Sequence, residues 1–344
     1  MPMGEPRSVV ITGASRGLGF ASAARLYREG WRVIAAMRRP ERDMAALREA
    51  TGAAEDDERL IGVQLDLLDP ESIAAAAKAI GEAWGGNGAT PYSLVHNAGI
   101  SAAGMVEESD PALWQNMFGT HVLGPVALTK ALLPAMRAAG TGRVVVVSSA
   151  GGVRGQPGIA AYSAAKGALE RWAESMAGEI APFGLGVTVL IAGTYDTDII
   201  TDAGTTDERD FDGPYARMHR TIDKRGRFAV GNLARPASKF TDGLVRALDD
   251  EAPFRRRGVG IDASMLLASN RFLPAAGMHQ VSRLVMGIPR QGTMRNGQVP
   301  LTVSQRAMVA AARILPQPVL MKLATIMAER AANKENPAKE KNDA

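Results

Sequence analysis

The 344-residue chain contains no cysteine, which excludes disulfides, thiolate metal sites, iron–sulfur clusters and a cysteine nucleophile. Its 4 histidines form no HExxH pattern, so no metal site is predicted. No apolar run reaches the roughly 18 residues of a membrane span, and the first residues lack the apolar centre of a signal peptide. These absences predict a soluble protein of the cytoplasm.

Charge is unevenly distributed along the chain. Residues 1–200 carry 17 Lys and Arg against 21 Asp and Glu, whereas residues 201–344 carry 23 against 15. The basic residues of the second part are scattered, apart from the cluster Arg255-Arg256-Arg257. Aromatic residues make up only 5% of the chain and do not alternate with these arginines, as they do on surfaces that bind single-stranded nucleic acid. No nucleic-acid partner is predicted.

Short apolar runs alternate with helical patterns through the first 200 residues. The predicted strands are Ser8–Thr12, Trp31–Met37, Ile61–Leu65, Ser93–His96, Arg143–Ser148 and Gly186–Ile191. The predicted helices are Gly17–Glu29, Pro70–Trp84, Pro111–Ala139 and Ala161–Ala181. Alternating strands and helices, with continuous apolar strands, predict an α/β fold with a Rossmann-type, doubly wound parallel sheet and helices on both faces.

The pattern weakens after Ala192. Residues 194–227 are polar and charged, which predicts a long mobile segment with one or two helices. A helix is predicted at Pro236–Leu248 and a last strand at Phe254–Ile261. Helical patterns interrupted by prolines follow, so a C-terminal helical extension is predicted after the sheet.

A glycine-rich turn, TGASRGLG at residues 12–19, lies between the first predicted strand and the first predicted helix. Glycines there let the backbone approach a pyrophosphate at the helix N-terminus. Such a turn alone is a weak signal, since some glycine-rich turns bind no nucleotide. No Gly-Lys-Ser/Thr follows, which excludes a P-loop. The position of the turn after the first strand favours a dinucleotide site.

The end of the second predicted strand carries information about the cofactor. Dinucleotide folds that prefer NAD place an Asp or Glu there to bind the adenosine ribose. The residues here are Met37, Arg38 and Arg39, so the acid is absent. Guanidinium groups suit a 2′-phosphate, which a carboxylate would repel. The sequence therefore predicts NADP, with a solvated arginine pair as the alternative interpretation.

Tyr162 and Lys166 lie four residues apart in a predicted helix, so their side chains share one face. An ammonium near a phenol favours the phenolate and lowers a pKa that starts near about 10. Such a tyrosine can exchange a proton at neutral pH, although Tyr and Lys often occur at this spacing by chance. Ser149 follows a predicted strand at the edge where doubly wound sheets bind ligands.

Together these motifs resemble the short-chain dehydrogenase/reductase family. The matches occur in the family's order and spacing, and they are the glycine turn at 12–19, Asp66, Asn97-Ala98-Gly99, Ser149, and Tyr162 with Lys166. The resemblance covers residues 1–260 and is specific through residue 198. Beyond residue 260 the chain resembles, in overall pattern only, the longer hydroxysteroid and retinol dehydrogenase-like members.

The resemblance implies three catalytic roles. Ser149 would hydrogen-bond the substrate carbonyl or hydroxyl, and Tyr162 would donate or accept the proton. Lys166 would bind the nicotinamide ribose and lower the pKa of the tyrosine.

The resemblance also implies a cofactor site. Asp66 would contact the adenine amine, Arg16 and Arg38 would hold the 2′-phosphate, and Thr197 would lie near the carboxamide. The full set is Gly13, Ser15, Arg16, Gly17, Leu18, Gly19, Arg38, Asp66, Asn97, Ala98, Gly99, Tyr162, Lys166 and Thr197.

Two residues depart from the family pattern. His121 stands where the family has an asparagine that supports a helix kink and a water relay to the lysine. A histidine offers a donor and an acceptor, so His121 is a catalytic candidate, with a buried structural histidine as the alternative. Ala192 replaces the proline before Gly193, which removes a backbone restraint at the start of the segment 194–227.

The predicted function is NADP(H)-dependent interconversion of a carbonyl and an alcohol on a small apolar substrate, with Tyr162 as acid and base. The alternative is a non-catalytic NADP-binding sensor or scaffold on the same fold. His121 and Ala192 favour the alternative, whereas the presence of Ser149, Tyr162 and Lys166 favours the enzyme.

The predicted organisation has three parts. Residues 1–260 are the NADP-binding catalytic domain, residues 261–332 a helical extension, and residues 333–344 a disordered tail. The resemblance implies a homodimer formed through the two long helices at 111–139 and 161–181. The apolar run Val319–Met327 leaves two interpretations open, a peripheral membrane helix and a helix packed on protein.

Overall fold

The computed structural model describes residues 7–85, 92–197, 205–295 and 310, and these residues form the expected α/β fold. The chain divides into two compact units, Met1–Ile288 and Pro289–Ala344. The functional division after residue 260 stays a prediction. The predicted tail at 333–344 and the apolar run Val319–Met327 lie outside the described residues.

The seven predicted strands are present near their predicted positions, and four further short strands, at 101–103, 195–196, 205–207 and 235–236, were not predicted. They are β1 (Ser8–Thr12), β2 (Arg32–Met37), β3 (Leu60–Gln64), β4 (Ser93–His96), β5 (Ser101–Ala103), β6 (Gly142–Ser149), β7 (Leu185–Ala192), β8 (Tyr195–Asp196), β9 (Thr205–Asp207), β10 (Arg235–Pro236) and β11 (Phe254–Val259). Within the described residues, seven of these strands form a wholly parallel sheet in the order β11-β7-β6-β4-β1-β2-β3. The order reverses between β1 and β4, which opens a crevice at their carboxyl ends.

Helices connect the strands and cover both faces of the sheet. They are α1 (Gly17–Arg28), α2 (Pro40–Thr51), α3 (Pro70–Gly85), α4 (Pro111–Phe118), α5 (Gly124–Ala139), α6 (Ala150–Val153), α7 (Ala160–Ile180), α8 (Ala216–Leu233), α9 (Ser238–Leu248), α10 (Ile261–Phe272) and α11 (Ala275–Met286). The predicted C-terminal helical extension is therefore present as α10 and α11, which are separated at Pro274.

The apolar strands are buried on both faces, which explains why their sequences do not alternate with polar residues. Val10 and Val144 pack in one core with residues of α3, α5 and α7. Val9 and Val145 face the other way and pack with residues of α1, α2 and α9. The two layers of helices thus fix the strand ends that carry the predicted site residues.

Two helical features differ from the sequence prediction. Helix α2 was not predicted; it begins at Pro40, which suits a first helical turn, and ends at Gly52 with a φ of 72°. The predicted single helix Pro111–Ala139 is two α-helices joined by a π-helical turn at Gly119–Leu123. This turn carries His121 and brings it towards the site.

The stretch Pro111–Ala139 is long and apolar enough, by length and composition, to span a membrane. This finding corrects the expectation that no apolar stretch reaches that length. Leu113, Met117, Leu128, Leu132 and Met136 are buried inside the fold, however. One face of the stretch therefore packs in the core of the Rossmann-type domain.

Candidate functional site

A cavity of about 400 Å³ lies at the carboxyl ends of the strands, where the strand order reverses. Crevices at this place are the usual ligand sites of doubly wound sheets. Most of the predicted site residues line it, namely Gly13, Ser15, Arg16, Gly17, Leu18, Arg38, Asp66, Asn97, Ala98, Gly99, Ser149, Tyr162, Lys166 and Thr197. Gly19 and His121, the other two predicted residues, lie behind the wall that these residues form.

The glycine turn between β1 and α1 forms one end of the cavity. Gly13 and Gly17 have φ angles of +69° and +58°, which glycine adopts without strain. A Cβ on Gly13 would lie 2.7 Å from the Cα of Ala98, so the turn packs directly against the residues that follow β4. The side chain of Arg16, the residue before α1, does not cap the helix. The first N–H groups of α1 therefore remain available to an anion.

Gly19 lies on the inner side of α1, behind the turn. A Cβ there would overlap the carbonyl oxygen of Gly13 and the side-chain amide of Asn97. That amide donates to the carbonyl oxygens of Thr12 and Gly13, at 3.0 and 3.2 Å. The missing side chain of Gly19 thus lets β1, β4 and α1 meet.

We expect Gly19→Ala to lower the free energy of unfolding by roughly 1–3 kcal/mol, the usual cost of overpacking a well-filled site. Urea unfolding would measure it. The matched control is Gly81→Ala in α3, where an added Cβ meets nothing within 4 Å. Removing a glycine from a helix interior should stabilise the control by about 0.5–1 kcal/mol. Equal effects of the two substitutions would contradict this account of Gly19.

The predicted adenosine end of the site lies beside β2 and β3. Met37 and Arg38 both line the cavity, Met37 buried and Arg38 exposed. Asp66 lines it from the loop after β3, and its Oδ1 accepts a hydrogen bond from the Leu68 N–H at 3.0 Å. Arg39 stands immediately before α2 and does not line the cavity. Only the first arginine of the predicted pair therefore faces the site.

Ser149, Tyr162 and Lys166 meet on the opposite side of the cavity. Ser149 is the last residue of β6, and the other two lie on the first turns of α7. The hydroxyl of Ser149 lies near the phenol of Tyr162 and accepts a hydrogen bond from the Gly151 N–H at 3.3 Å. The ammonium of Lys166 donates to the carbonyl oxygen of Val147 at 2.8 Å and lies 5.9 Å from the centre of the Tyr162 ring.

Burial governs the ionisation of this pair. It raises the pKa of Tyr162 above its usual value, and the nearby hydroxyl of Ser149 opposes this effect. It also lowers the pKa of Lys166 to about 8, although the charge of Glu170 favours the ammonium. The predicted lowering of the tyrosine pKa by Lys166 is therefore wrong for this state, because burial dominates and the ammonium donates to Val147. The phenol is neutral and able to give up a proton.

His121 lies in the π-helical turn and is buried beside the catalytic candidates. Its Nε2 lies 2.9 Å from the carbonyl oxygen of Ile100, which favours a proton on Nε2. Its ring meets that of Tyr162 edge-on, with 5.4 Å between ring centres. Burial, together with the charge of Lys166, holds the pKa of His121 well below its usual value. The ring is therefore neutral, and its catalytic role stays a prediction.

The segment after Ala192 is tied down by a residue that the sequence did not single out. The N–H of Thr194 donates to Oδ2 of Asp262 on α10, at 2.6 Å. The N–H of Gly193 and the hydroxyl of Tyr195 both donate to the Val259 carbonyl oxygen, at 2.9 and 3.0 Å. These hydrogen bonds restrain the backbone at 193–195, where Ala192 stands in place of the family's proline.

Thr197, at the end of this segment, lies beside the glycine turn. A Cβ on Gly17 would lie 3.4 Å from the Cγ2 of Thr197. Several further residues complete the wall, namely Leu65, Leu67, Leu68, Ile100, Asn116, Thr120, Val147, Ser148 and Tyr195. Many of them end a strand or directly follow one. Their position at the ends of the predicted apolar runs is the signal that could have identified them from the sequence.

Within residues 7–85, 92–197, 205–295 and 310, no group of three or more His, Cys, Asp or Glu side chains is placed to hold a metal ion.

Comparison with protein families identifies a match over most of this fold. The model described as short chain dehydrogenase matches residues 7–208. The chain is 30% identical over 283 residues to the uncharacterized oxidoreductase YbbO of Escherichia coli K12, covering 80% of this chain and 93% of YbbO. It is 34% identical over 191 residues to the uncharacterized oxidoreductase YusZ of Bacillus subtilis 168, covering 55% of this chain and 65% of YusZ, just under two thirds of that relative.

Solved structures share the fold. A short-chain dehydrogenase from Streptomyces avermitilis is 31% identical, with a TM-score of 0.69, covering 84% of this chain and 100% of that chain. A Burkholderia cenocepacia short chain dehydrogenase in complex with NADP is 22% identical, covers 83% of this chain and 99% of that chain, and has a TM-score of 0.61. A Burkholderia phymatum relative in complex with NAD is 24% identical, covers 88% of this chain and 100% of that chain, and has a TM-score of 0.64.

Proposed function

Because this chain belongs to the short-chain dehydrogenase/reductase family, we propose that it interconverts a carbonyl and an alcohol on a small apolar substrate, with NADP(H) as cofactor. One observation carries the proposal: Ser149, Tyr162 and Lys166 converge on the cavity that also contains the β1–α1 glycine turn. Proton exchange and dinucleotide binding would therefore take place in one crevice.

The residues of the cavity suit a dinucleotide. The glycine turn admits a pyrophosphate because side chains are absent at Gly13 and Gly17, and the N-terminus of α1 has no side-chain cap. Lys166 would hold the nicotinamide ribose, and Thr197 would lie beside the carboxamide. When bound, the dinucleotide supplies the hydride in reduction and accepts it in oxidation.

The side chains around Tyr162 would carry the proton chemistry. In reduction, the neutral phenol of Tyr162 donates its proton to the substrate oxygen, which Ser149 orients by a hydrogen bond. The ammonium of Lys166 then stabilises the phenolate that remains. In oxidation, the same phenolate accepts the proton of the alcohol.

The cofactor preference follows from the end of β2. Met37 occupies the position at which an NAD-preferring site has a carboxylate, and Arg38 lies exposed at the cavity. Guanidinium pairs with phosphate through charge-assisted hydrogen bonds. We assign Arg38 and Arg16 to the 2′-phosphate on this ground, and Asp66 to the adenine amine.

A screen of ketones, aldehydes and alcohols, read by the consumption of NADPH or its formation from NADP, tests the proposed activity. Turnover of an apolar carbonyl that disappears in Tyr162→Phe supports it. Tight NADPH binding without turnover of any class of carbonyl or alcohol contradicts it. That result would favour the alternative, a sensor or scaffold, for which the departures at His121 and Ala192 are the sequence support.

We further propose a homodimer formed through α5 and α7. Exposed positions on these helices carry small side chains, among them Ala127, Ala131 and Ala135 on α5 and Ala164 on α7. Small residues allow helices from two copies to approach closely, and a twofold axis would form a four-helix contact. We expect the mass of a dimer by light scattering at micromolar concentrations. A monomer across that range would refute the assignment.

We place the protein in the cytoplasm with a peripheral membrane contact through its C-terminal helices. Ile261, Met265 and Phe272 share one face of α10 and are 65–79% exposed. Residues 263–288 contain Arg271 and Arg283 but no Asp or Glu, a combination that suits an anionic bilayer. The protein should co-sediment with phosphatidylglycerol vesicles, and Phe272→Glu should reduce the fraction that sediments with them. Equal co-sedimentation of both proteins would contradict the contact.

A further inference from the structure

A buried carboxylate lies one helical turn beyond the proposed catalytic pair. Glu170 follows Lys166 by four residues on α7 and is only 2% exposed. Its Oε1 accepts a hydrogen bond from the hydroxyl of Ser148 at 2.6 Å, and its Oε2 pairs with the guanidinium of Arg256 on β11. Burying an ion pair costs solvation free energy, so such a pair is weak evidence of a contribution to stability. The position of Glu170 next to Lys166 indicates a role in the site.

The row Tyr162, Lys166 and Glu170 runs along one face of α7, each residue one turn from the next. Each member contacts the end of β6, in the pairs Tyr162 with Ser149, Lys166 with the carbonyl oxygen of Val147, and Glu170 with Ser148. The three contacts fix the register between the helix and the strand that together carry the catalytic set.

The short helix α6, which follows β6, is shaped around this carboxylate. A Cβ on Gly152 would overlap Oε1 of Glu170, would lie 2.5 Å from the hydroxyl oxygen of Ser148, and would lie 3.1 Å from the Cβ of Lys166. A residue with a side chain would therefore displace the carboxylate or the lysine. The glycine keeps the space in which both can approach the strand end.

The charges around Lys166 make Glu170 its electrostatic partner. The groups that face the ammonium are the phenol of Tyr162 and the ring of His121, both neutral, and the carbonyl of Val147. The carboxylate of Glu170 favours the ammonium against the penalty of burial. Arg256 faces Glu170 from the other side and balances its charge.

We propose that Glu170 is a positioning residue for the proposed reaction: it keeps the buried Lys166 ammonium charged and holds Ser148, and so the adjacent Ser149, in register with α7. The catalytic consequence rests on the proposed function, whereas the effect on Lys166 does not. Glu170 touches neither substrate nor cofactor in this assignment. It acts through the lysine and the strand end.

The test is Glu170→Gln, which keeps the shape and an acceptor for Ser148 but removes the charge. The full-length protein is produced with ¹³C-labelled lysine, and the Lys166 Cε signal, assigned by its absence in Lys166→Arg, is titrated by NMR. We expect its midpoint to fall by about one pH unit relative to the unsubstituted protein, the lower range for an opposite charge nearby. In carbonyl reduction, the decline of kcat at high pH should begin about one unit lower, because the ammonium is lost earlier.

The matched control is Glu174→Gln, one turn further along α7, where the glutamate is half-exposed and pairs with Arg171. It should leave the Lys166 titration unchanged. If Glu170→Gln fails to fold, Glu170→Gln combined with Arg256→Met removes both buried charges and should give a smaller downward shift, because the opposing charge of Arg256 is lost as well. A Lys166 midpoint that matches the unsubstituted protein in either Glu170 variant overturns the proposal. The NMR titration requires no substrate, so its outcome is independent of whether the proposed activity is found.

Discussion

Tyr162→Phe should reduce turnover of any carbonyl or alcohol that the protein converts by at least ~10²-fold, the lower range for loss of a general acid. Burial keeps this phenol neutral, and Tyr162 lines the cavity together with Ser149. The substitution removes the transferable proton and retains the ring. NADPH affinity and the free energy of unfolding should therefore change little. Steady-state kinetics, with fluorescence titration of NADPH, would measure both.

The matched control is Tyr195→Phe, which removes a second phenol from the same cavity. Tyr195 is buried, lines the cavity and donates to the Val259 carbonyl oxygen at 3.0 Å. Since this hydroxyl is already engaged with backbone, we expect its loss to change turnover much less than that of Tyr162. Comparable losses in the two variants, or near-normal turnover in Tyr162→Phe, would show that Tyr162 is not the acid and base.

Arg38→Ala should weaken NADPH binding by ~10–100-fold and leave NADH binding nearly unchanged, because a charge-assisted phosphate contact is lost at an exposed, salt-screened position. Met37→Asp should weaken the binding of NADPH and strengthen the binding of NADH. A carboxylate there would repel the 2′-phosphate and accept a hydrogen bond from the ribose hydroxyl. Dissociation constants for both cofactors, at low and high salt, would measure the change in preference.

The control for this pair is Arg39→Ala. Arg39 is also exposed and carries the same charge, but it stands before α2 and does not line the cavity. A nonspecific loss of positive charge would affect both arginine variants alike, whereas a phosphate contact would affect Arg38 alone. If the unsubstituted protein binds NADH as tightly as NADPH, the assignment of Arg38 and Met37 is wrong.

The sequence predicts the parts of the fold that depend on local pattern. The strands Ser8–Thr12 and Ser93–His96 agree residue for residue, because runs of Val, Ile and Leu between turns have few other interpretations. The glycine turn and the Tyr162–Lys166 spacing likewise locate the cavity, since each sits at a strand end or on one helix face. The family match then confirms the fold that these patterns predict.

What the sequence could not supply depends on distant contacts. Gly119, Gly124 and Pro125 flank the π-helical turn around His121 and indicate a break in the helix, but they do not show that the break is a π-helical turn. The bond from Asp262 to Thr194 joins residues 68 positions apart. The raised pKa of Tyr162 reflects burial by several elements at once, which outweighs the lysine four residues away. Helical spacing shows that two side chains are close, but not how much water surrounds them.

The arginine cluster on β11 bears on association between molecules. β11 is the edge strand beside β7, so its outer hydrogen-bonding groups face away from the sheet. Arg255 and Arg257 both pair with Asp250, at 3.4 and 2.7 Å, while Arg256 is committed to Glu170. Charged side chains along an exposed edge oppose the addition of a strand from another molecule. We therefore expect this basic run to oppose edge-to-edge pairing of the sheet with another molecule.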